Sequence, residues 1–344
     1  MSKKTVGFYG GKFFPIHKGH VAMMEKARML VDELHIIVSY DVEAERKLWK
    51  TARQAGHPRP THIDRYRWWS EITKYSPNVH VHTVNELQTG KDTDWDRGAI
   101  GIREAIGKPI DVVFSSEPSY ERHFSRLYPE AVHFVLDEER EQVDISATKI
   151  RENLYWHWNA LPEEVRPFFV RKVVIVGTES CGKSTLVRRL AEHYGTNYVE
   201  EYGRTFYERM GVQDMRYVRS DDFSTIAMKQ WMNVVDSLDE SNRIIFVDTE
   251  AVVTEYYHKL YAGWKINTKV PYFQEYDLYL YLTPEVAWVD DGSRTLRTQK
   301  EREEQDETLV HMFDQQNIYP TFIRGTSYDD RFNQAVKAIN KLLK

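Results

Sequence analysis

The sequence predicts an α/β protein with two domains, each built on a parallel β-sheet. Three observations support this prediction. Short apolar runs alternate with helical patterns twice along the 344 residues, as in strands joined by crossover helices. Each of the two series opens with a strand that runs into a glycine-rich turn. The chain is also long enough to bury two cores of ordinary size.

The first series predicts five strands separated by four helices. The strands are expected at residues 5–9, 34–40, 79–84, 111–116 and 131–136, and the helices near 19–32, 61–75, 94–107 and 119–127. The stretch that follows contains Pro162 and Pro167, which favour a break in regular structure. We therefore place the first domain at residues 1–165 and the second at residues 166–344.

The second series repeats the pattern with five more strands and ends on an amphipathic helix. The strands are expected at residues 172–177, 196–201, 243–249, 277–283 and 320–325, and the closing helix at 330–343. In open parallel sheets, ligands bind beyond the carboxyl ends of the strands, where helix N-termini present free N–H groups. Both glycine-rich turns are expected at such positions, so both are candidates for phosphate binding.

Composition narrows the class of protein. A net charge of −5 does not favour a chain that coats nucleic acid, and 41% hydrophobic with 29% charged residues is typical of a globular protein. The single cysteine, Cys181, excludes an intrachain disulfide and agrees with a cytoplasmic location. No apolar run approaches the roughly 18 residues of a membrane span. We expect no membrane insertion.

The mid-chain loop GTESCGKST carries the more specific motif. It fits G-x-x-x-x-G-K-[ST], in which glycines let backbone N–H groups face the phosphates of a nucleotide. Lys183 is expected to meet the β- and γ-phosphates of ATP, and Ser184 to bind Mg²⁺. The remaining nucleotide-binding positions of the loop are Gly177, Glu179, Ser180, Cys181, Gly182 and Thr185. The alternative is a chance glycine turn with an exposed lysine.

Three later residues complete the expected second site. Asp248 ends a predicted strand and is a candidate for base or Mg²⁺ partner; a helix cap is the alternative. Arg294 and Arg297 lie in the polar stretch WVDDGSRTLR and are candidates for stabilising the transferring phosphoryl group. Surface arginines on a solvated loop are the alternative for this pair.

The first loop, GGKFFPIHKGH, is a different kind of phosphate site. His17 and His20 lie three residues apart and, if a helix begins near Lys18, they point roughly the same way from its first turn. Two imidazoles there can donate hydrogen bonds to phosphate. A zinc site is one alternative, but it needs further ligands that are not obvious nearby. Core or surface histidines without a binding role are the other alternative. Gly10, Gly11, Lys12 and Phe13 form the rest of the nucleotide-binding loop.

A second polar group follows the fifth strand, in DISATKIREN. Ser146, Thr148 and Arg151 lie at the start of a predicted helix, where Ser and Thr can serve as simple caps. Together with the arginine one turn later, they also form a candidate phosphate clamp.

These motifs resemble those of known families. GKFFPIHKGH resembles the G-x-F-x-P-x-H-x-G-H signature of the nucleotidyltransferase superfamily, and ISATKIR resembles its I-S-[ST]-T-x-x-R signature, with Ala147 in the variable position. A nucleotidyltransferase domain followed by a P-loop kinase domain resembles the bifunctional NadR type. EEYGRTF (200–206) and WVDDGSRTLRTQK (288–300) are also similar to its kinase half. The resemblance covers nearly the whole chain.

The resemblance implies a Rossmann-like nucleotidyltransferase domain, a P-loop kinase domain and a two-step synthesis of NAD. The kinase would phosphorylate nicotinamide riboside with ATP to give nicotinamide mononucleotide (NMN). The first domain would join NMN to the AMP part of a second ATP, releasing pyrophosphate. Association with a riboside transporter and homo-oligomerisation are further expectations. No helix-turn-helix precedes the first strand, so no nucleic-acid partner is expected.

Within that scheme, His17, His20, Lys12 and Arg151 would serve the triphosphate of the first site, and Ser146 and Thr148 would fix it. Asp248 is the first choice for base or metal partner in the second site, with Glu201 as its rival. Glu200 and Glu201 are candidates for binding ribose hydroxyls. A cationic nicotinamide ring favours an aromatic face, so Trp95 and Tyr202 are chosen as its partners, with ordinary packing as the alternative.

Two other functions remain open at this stage. One is a different fusion from the same superfamilies, a pantetheine-phosphate adenylyltransferase joined to a dephospho-coenzyme A kinase. The VDDGSR and EEYGR segments argue against it. The other is a nucleotide sensor without catalytic activity, and the complete polar sets of both loops argue against that interpretation.

Overall fold

The protein divides into two compact units, Met1–Phe169 and Val170–Lys344. The computed structural model describes residues 3–91, 93–136, 145–212, 217–262, 275–286 and 298–343. No helix in these ranges is both long and apolar enough to cross a membrane.

The first unit alternates strands and helices along the chain. Its strands are β1 (Val6–Gly11), β2 (Glu33–Tyr40), β3 (Val79–Asn85), β4 (Val112–Ser115) and β5 (Val132–Val135). Its helices are α1 (Lys18–Arg28), α2 (Val42–Leu48), α3 (Lys50–Gln54), α4 (His62–Ile72), α5 (Thr93–Ile106), α6 (Glu121–Leu127) and α7 (Ala147–Glu152).

The first sheet is entirely parallel in the order β3-β2-β1-β4-β5. Strand β1 lies at its centre, and the chain order reverses there, which creates a crevice for ligands at the carboxyl edge. Apolar side chains of the sheet pack against α5 and α6 in a core that includes Phe8, Ile37, Val84, Ile102 and Tyr128. The loop after β1 therefore starts from the central strand of the sheet, whose first four residues are buried.

The second unit has the same alternation. Its strands are β6 (Arg171–Val176), β7 (Tyr198–Val199), β8 (Ile244–Asp248), β9 (Leu278–Leu282) and β10 (Thr321–Ile323). Its helices are α8 (Lys183–Tyr194), α9 (Tyr202–Met210), α10 (Ser220–Asp236), α11 (Ala251–Ala262), α12 (Gln299–Gln315) and α13 (Tyr328–Leu342).

The second sheet is also parallel, in the order β10-β9-β6-β8-β7. Its central strand, β6, again carries the glycine-rich loop. Val173, Ile175 and Phe246 of the sheet pack against the apolar faces of α8 and α13, which include Leu190 and Ile339. The prediction of two parallel α/β sheets is confirmed.

Two details differ from the predicted elements. The strand predicted at 196–201 is reduced to β7. The Thr196 hydroxyl donates to the Ile244 carbonyl at 2.6 Å, so a side-chain hydrogen bond anchors this residue in place of the backbone hydrogen bonds of a strand pair. Helices α2 and α3 lie between β2 and α4, where no helix was predicted. Asp41 begins α2 by accepting hydrogen bonds from the Glu43 and Ala44 N–H groups.

Candidate functional site

The loop after β1 brings the predicted histidines together. His17 is the N-cap of α1, and its backbone N–H donates to Nδ1 of His20 at 3.3 Å. The two imidazole rings stack with centroids 3.6 Å apart, and the ring of Phe13 packs edge-on against His20 at 5.0 Å. Since Nδ1 of His20 accepts a hydrogen bond, the proton of the neutral ring lies on Nε2. His20 can thus act as a hydrogen-bond donor without carrying a charge.

Burial keeps both rings neutral. It lowers the pKa of His17 to about 4 and the pKa of His20 well below its usual value, and repulsion between the two rings when both are protonated lowers the pKa of His20 further. His20 lines a cleft of about 640 Å³, whereas His17 lies behind it and is not among the lining residues. His20 is therefore the imidazole that a ligand would meet.

The pKa of His17 should be measurable by NMR titration of the histidine ring signals. We expect a value near 4 in the folded protein, against about 6.5 for an unfolded histidine. Because the pKa of His17 is lower in the folded protein, the unfolded chain binds the proton first. The stability of the folded protein is therefore unaffected by His17 above pH 6.5 and decreases as the pH falls towards 4. The full shift corresponds to about 3 kcal/mol. A titration midpoint above pH 6 would contradict this, and His17→Gln should remove the assigned signal.

Most of the other predicted residues of the first unit also reach the cleft. Those that line it are Gly10, Gly11, Lys12, Phe13, Trp95 and Arg151. Arg151 donates to the Phe14 carbonyl at 2.7 Å and to the Thr148 hydroxyl at 2.8 Å. Ser146 is the N-cap of α7 and accepts from the Lys149 N–H at 3.3 Å. Ser146 and Thr148 thus support α7 and Arg151, and neither is among the residues that line the cleft.

A buried arginine that sequence reasoning missed supports this loop from below. Arg65 is fully buried, and its guanidinium donates to the backbone carbonyl of Lys12 and to the carboxylate of Glu45 at 2.5 Å. It also lies over the ring of Phe14, 4.9 Å from the ring centroid. A charged group with this many partners fixes the path of the loop between β1 and α1. Its position in an ordinary amphipathic helix carries no signal in the sequence.

The loop after β6 has the backbone that its motif requires. Gly177 and Gly182 adopt φ values of +141° and +88°, which side chains rarely tolerate. A Cβ at Gly177 would lie 2.5 Å from the Leu282 carbonyl oxygen. The loop ends at the N-terminus of α8, whose free N–H groups and dipole favour an anion.

Lys183 and Ser184 occupy defined positions at this loop. The Lys183 ammonium is buried and donates to the carbonyls of Gly177 and Thr178 at 3.0 and 2.9 Å. Ser184 donates to Oδ2 of Asp248 at 2.5 Å. Burial by itself would lower the pKa of Lys183, but the nearby Cys181, Glu201 and Asp248 outweigh it and raise that pKa. The ammonium therefore stays charged and ready for phosphate.

The two predicted glutamates, Glu200 and Glu201, have different surroundings. Glu200 forms an exposed ion pair with Arg188 at 2.8 Å, whereas burial and Asp248 raise the pKa of Glu201 despite the opposing charge of Lys183. Tyr202 begins α9, and its backbone N–H donates to Gln230, whose side chain also donates to the Asp248 carbonyl. Glu201 is thus part of the Lys183–Asp248 cluster and Glu200 is not.

The remaining loop residues are held by neighbouring elements. Glu179 accepts from the Tyr261 hydroxyl at 2.8 Å. Cys181 is buried with its thiol donating to the Thr178 carbonyl at 3.0 Å, and Ser180 adopts a φ of +63°. Thr185 lines a small crevice beside Gly182. Arg294 and Arg297 lie outside the described residues.

Arg331 of α13 is a second supporting arginine that sequence reasoning missed. Its buried guanidinium donates to the carbonyls of Cys181, Thr283 and Gly325 at 2.9, 2.7 and 2.5 Å. These three carbonyls belong to the phosphate-binding loop, the end of β9 and the turn after β10. One side chain therefore ties together three segments at the carboxyl edge of the sheet.

Replacing Arg331 by alanine should destabilise the second unit by about 2–4 kcal/mol, because three buried carbonyls lose charged donors. Calorimetric unfolding of the full chain measures the effect. Arg188→Ala is the matched control, because Arg188 of α8 forms an exposed ion pair with Glu200 and its replacement should cost less than about 1 kcal/mol. Equal losses in the two variants would show that Arg331 has no special role.

The described residues contain no cluster of three or more His, Cys, Asp or Glu side chains placed to hold a metal. The zinc alternative for His17 and His20 therefore finds no further ligands in the part of the chain that the structure describes. The two sites differ in chemistry: the first combines neutral imidazole with cationic side chains, and the second combines a curled backbone, an ammonium group and carboxylates.

Comparison with known proteins finds a different family for each of the two parts of the chain. A cytidylyltransferase-like family model matches residues 8–153, and an AAA domain model matches residues 172–331. The trifunctional NAD biosynthesis/regulator protein NadR of Escherichia coli K12 is 34% identical over 99% of this chain and 84% of its own length.

Two crystal structures resemble the whole chain. One is of NadR protein in complex with NR, with a TM-score of 0.79 and 26% identity over 100% of this chain and 97% of that one. The other is of NadR protein in complex with NAD and AMP-PNP, with a TM-score of 0.77 and 25% identity over 99% of this chain and 96% of that one.

Proposed function

Because the chain belongs to the NadR family of NAD biosynthesis proteins, we propose that it makes NAD from nicotinamide riboside in two consecutive reactions. The observation that supports this proposal is that two different loops suited to phosphate follow the central strands of the two sheets. We assign the adenylyltransferase to residues 1–165 and the kinase to residues 166–344.

In the kinase reaction, the 5′-hydroxyl oxygen of the riboside attacks the γ-phosphorus of ATP and the bond from that phosphorus to the β–γ bridging oxygen breaks. ADP leaves, and the hydroxyl proton passes to a carboxylate or to water. Lys183 and the N-terminus of α8 bind the phosphates and stabilise the charge that develops on them. The charge of Glu201 helps to raise the pKa of Lys183, and we propose that Glu201 binds a hydroxyl of the riboside. Arg294 and Arg297 are proposed to approach the phosphoryl group.

Magnesium fits the second site. Ser184 and Asp248 present a hydroxyl and a carboxylate oxygen 2.5 Å apart, and oxygen ligands of this kind suit Mg²⁺ when nucleotide phosphates supply the rest. The ion would neutralise phosphate charge when bound. Asp248 is thus assigned to the metal, which leaves Glu201 as the candidate for holding the riboside.

In the adenylylation, a phosphate oxygen of NMN attacks the α-phosphorus of ATP, the bond to the β-phosphate breaks and pyrophosphate leaves. His20 donates from Nε2 to the triphosphate, and Lys12 and Arg151 supply positive charge from the wall of the same cleft. Trp95 lines this cleft and is the proposed partner of the nicotinamide ring. Phosphoryl and nucleotidyl transfer of this kind need alignment and charge stabilisation, and no covalent intermediate.

The test is a substrate panel with labelled ATP and the purified full chain. Riboside-dependent formation of ADP and NMN, followed by NAD and pyrophosphate, is the expected result. Activity on dephospho-coenzyme A alone would support the other fusion. Bound nucleotide without any product would support a sensor.

We also place the reactions in the cytoplasm, where the buried thiol of Cys181 would stay reduced. Assembly into a homo-oligomer and association with a riboside transporter complete the proposal. Light scattering of the purified chain and crosslinking in membranes test these two parts.

A further inference from the structure

An acidic side chain in the first cleft belongs to neither signature. Glu86 directly follows β3 at the carboxyl edge of the sheet, and its backbone N–H donates to the Tyr40 carbonyl at 2.9 Å. Its Oε1 accepts from the Ser39 hydroxyl at 2.8 Å. The other carboxylate oxygen of Glu86, Oε2, accepts no hydrogen bond from the described residues. Glu86 lines the cleft, so one carboxylate oxygen remains available to a ligand.

Helix α5 contacts this carboxylate and lines the same cleft with an aromatic ring. Gly98 packs directly against Glu86, since a Cβ at Gly98 would lie 3.2 Å from Oε1. Trp95 precedes Gly98 by three residues, so both lie on the same side of α5, and both line the cleft. One face of Trp95 stacks on His123 with centroids 4.3 Å apart. The opposite face of Trp95 is the one on which a planar ligand in the cleft would stack, one helical turn from the glycine that contacts Glu86.

Among the described residues, the second acidic side chain that lines this cleft already accepts hydrogen bonds at both carboxylate oxygens. The carboxylate of Asp94 accepts from the Thr89 hydroxyl and the Gly90 N–H, each at 2.8 Å. Ser39 and Gly98 hold Glu86 in place, and no residue in the described ranges forms a direct ion pair with it. Burial raises its pKa, and the hydrogen bond from Ser39 and the charge of Lys12 oppose this. An anion beside an aromatic face is a good site for a flat cation.

We infer that Glu86 is a specificity-determining residue of the adenylylation step, in which its carboxylate faces the positively charged pyridinium ring of the mononucleotide. It discriminates against the acid analogue, in which a carboxylate replaces the carboxamide on that ring. This inference rests on the proposed function of the first unit. Repulsion between two carboxylates in a partly buried cleft predicts a selectivity of about 10- to 30-fold.

The experiment compares kcat/KM for NMN and for the acid analogue, with ATP and the full chain. In Glu86→Gln, which keeps the shape and the acceptor for Ser39, the ratio of the two values should fall about 10- to 30-fold. Glu86→Asp keeps the charge and should retain most of the ratio. Asp94→Asn is the matched control and should leave the ratio unchanged.

The outcomes separate this inference from the function on which it rests. If the wild type turns over neither mononucleotide, the proposed function of the first unit fails. If the wild type adenylylates NMN but the ratio is the same in Glu86→Gln, the inference fails alone. An equal fall in Asp94→Asn would assign selection to the net charge of the cleft and would overturn the role of Glu86. Competition between the two mononucleotides on the wild type needs no variant, and equal inhibition constants would also overturn it.

Discussion

Lys183→Ala is expected to reduce kinase activity by about 10²–10³-fold or more while adenylylation of NMN continues at nearly its normal rate. The ammonium of Lys183 lies across the phosphate-binding loop, where it donates to two loop carbonyls. Positive charge fixed at that position stabilises the phosphoryl group most strongly in the transition state, and its removal affects the rate more than the affinity. Separate assays of ADP release with the riboside and NAD formation from added NMN measure the two effects.

Lys172 provides a matched control, because it lies at the opposite end of the same strand, β6. Lys172→Ala should leave both activities within a few-fold of the wild type. If Lys183→Ala abolished NAD formation from NMN in a protein that still unfolds cooperatively, the assignment of one reaction to each unit would be wrong.

His20→Ala is expected to have the reverse effect, with a loss of about 10²–10³-fold in adenylylation and normal kinase activity. The physical reason is the loss of a neutral, pre-oriented donor, since the backbone N–H of His17 binds Nδ1 of His20 and leaves the proton on Nε2. The change also removes the ring on which His17 stacks and against which Phe13 packs edge-on, so both side chains would lose part of their support.

The control for this change is His80→Ala, because His80 lies at the amino end of β3, at the opposite edge of the same sheet. Product formation with added NMN should be unchanged in His80→Ala. A normal rate in His20→Ala, in a preparation shown to bind ATP, would remove His20 from the reaction and leave Lys12 and Arg151 as the triphosphate contacts.

The parts of the fold and site that could be predicted are those set by local sequence. The strands are visible in the sequence as apolar runs. Gly177 and Gly182 were predictable because glycine suits their backbone angles far better than other residues do. His17 and His20 follow the same logic, since a spacing of three at a helix start places both rings on one side. The sequence also leads to Ser184 and Asp248, although only the structure brings the two side chains into contact.

The residues that sequence reasoning missed act over long separations in the chain. Arg65 supports the carbonyl of Lys12 from a helix 53 residues later, and Glu86 accepts from Ser39 on the neighbouring strand. Arg65 belongs to an element whose own pattern is ordinary, and Glu86 directly follows one. Their roles depend on which strands become neighbours, and apolar periodicity does not specify that order. The same limit explains why Glu200 and Glu201, adjacent in sequence, have different surroundings.

The anchoring of the second loop by Arg331 has a consequence for the nascent chain. The carbonyl of Cys181 receives its donor from a residue 150 positions later, and ribosomes add roughly 5–20 residues per second. For roughly 8–30 seconds, the emerging polypeptide contains the complete nucleotide motif without the side chain that braces it. The adenylyltransferase half can mature during this interval, so the enzyme would acquire its last catalytic step before its first.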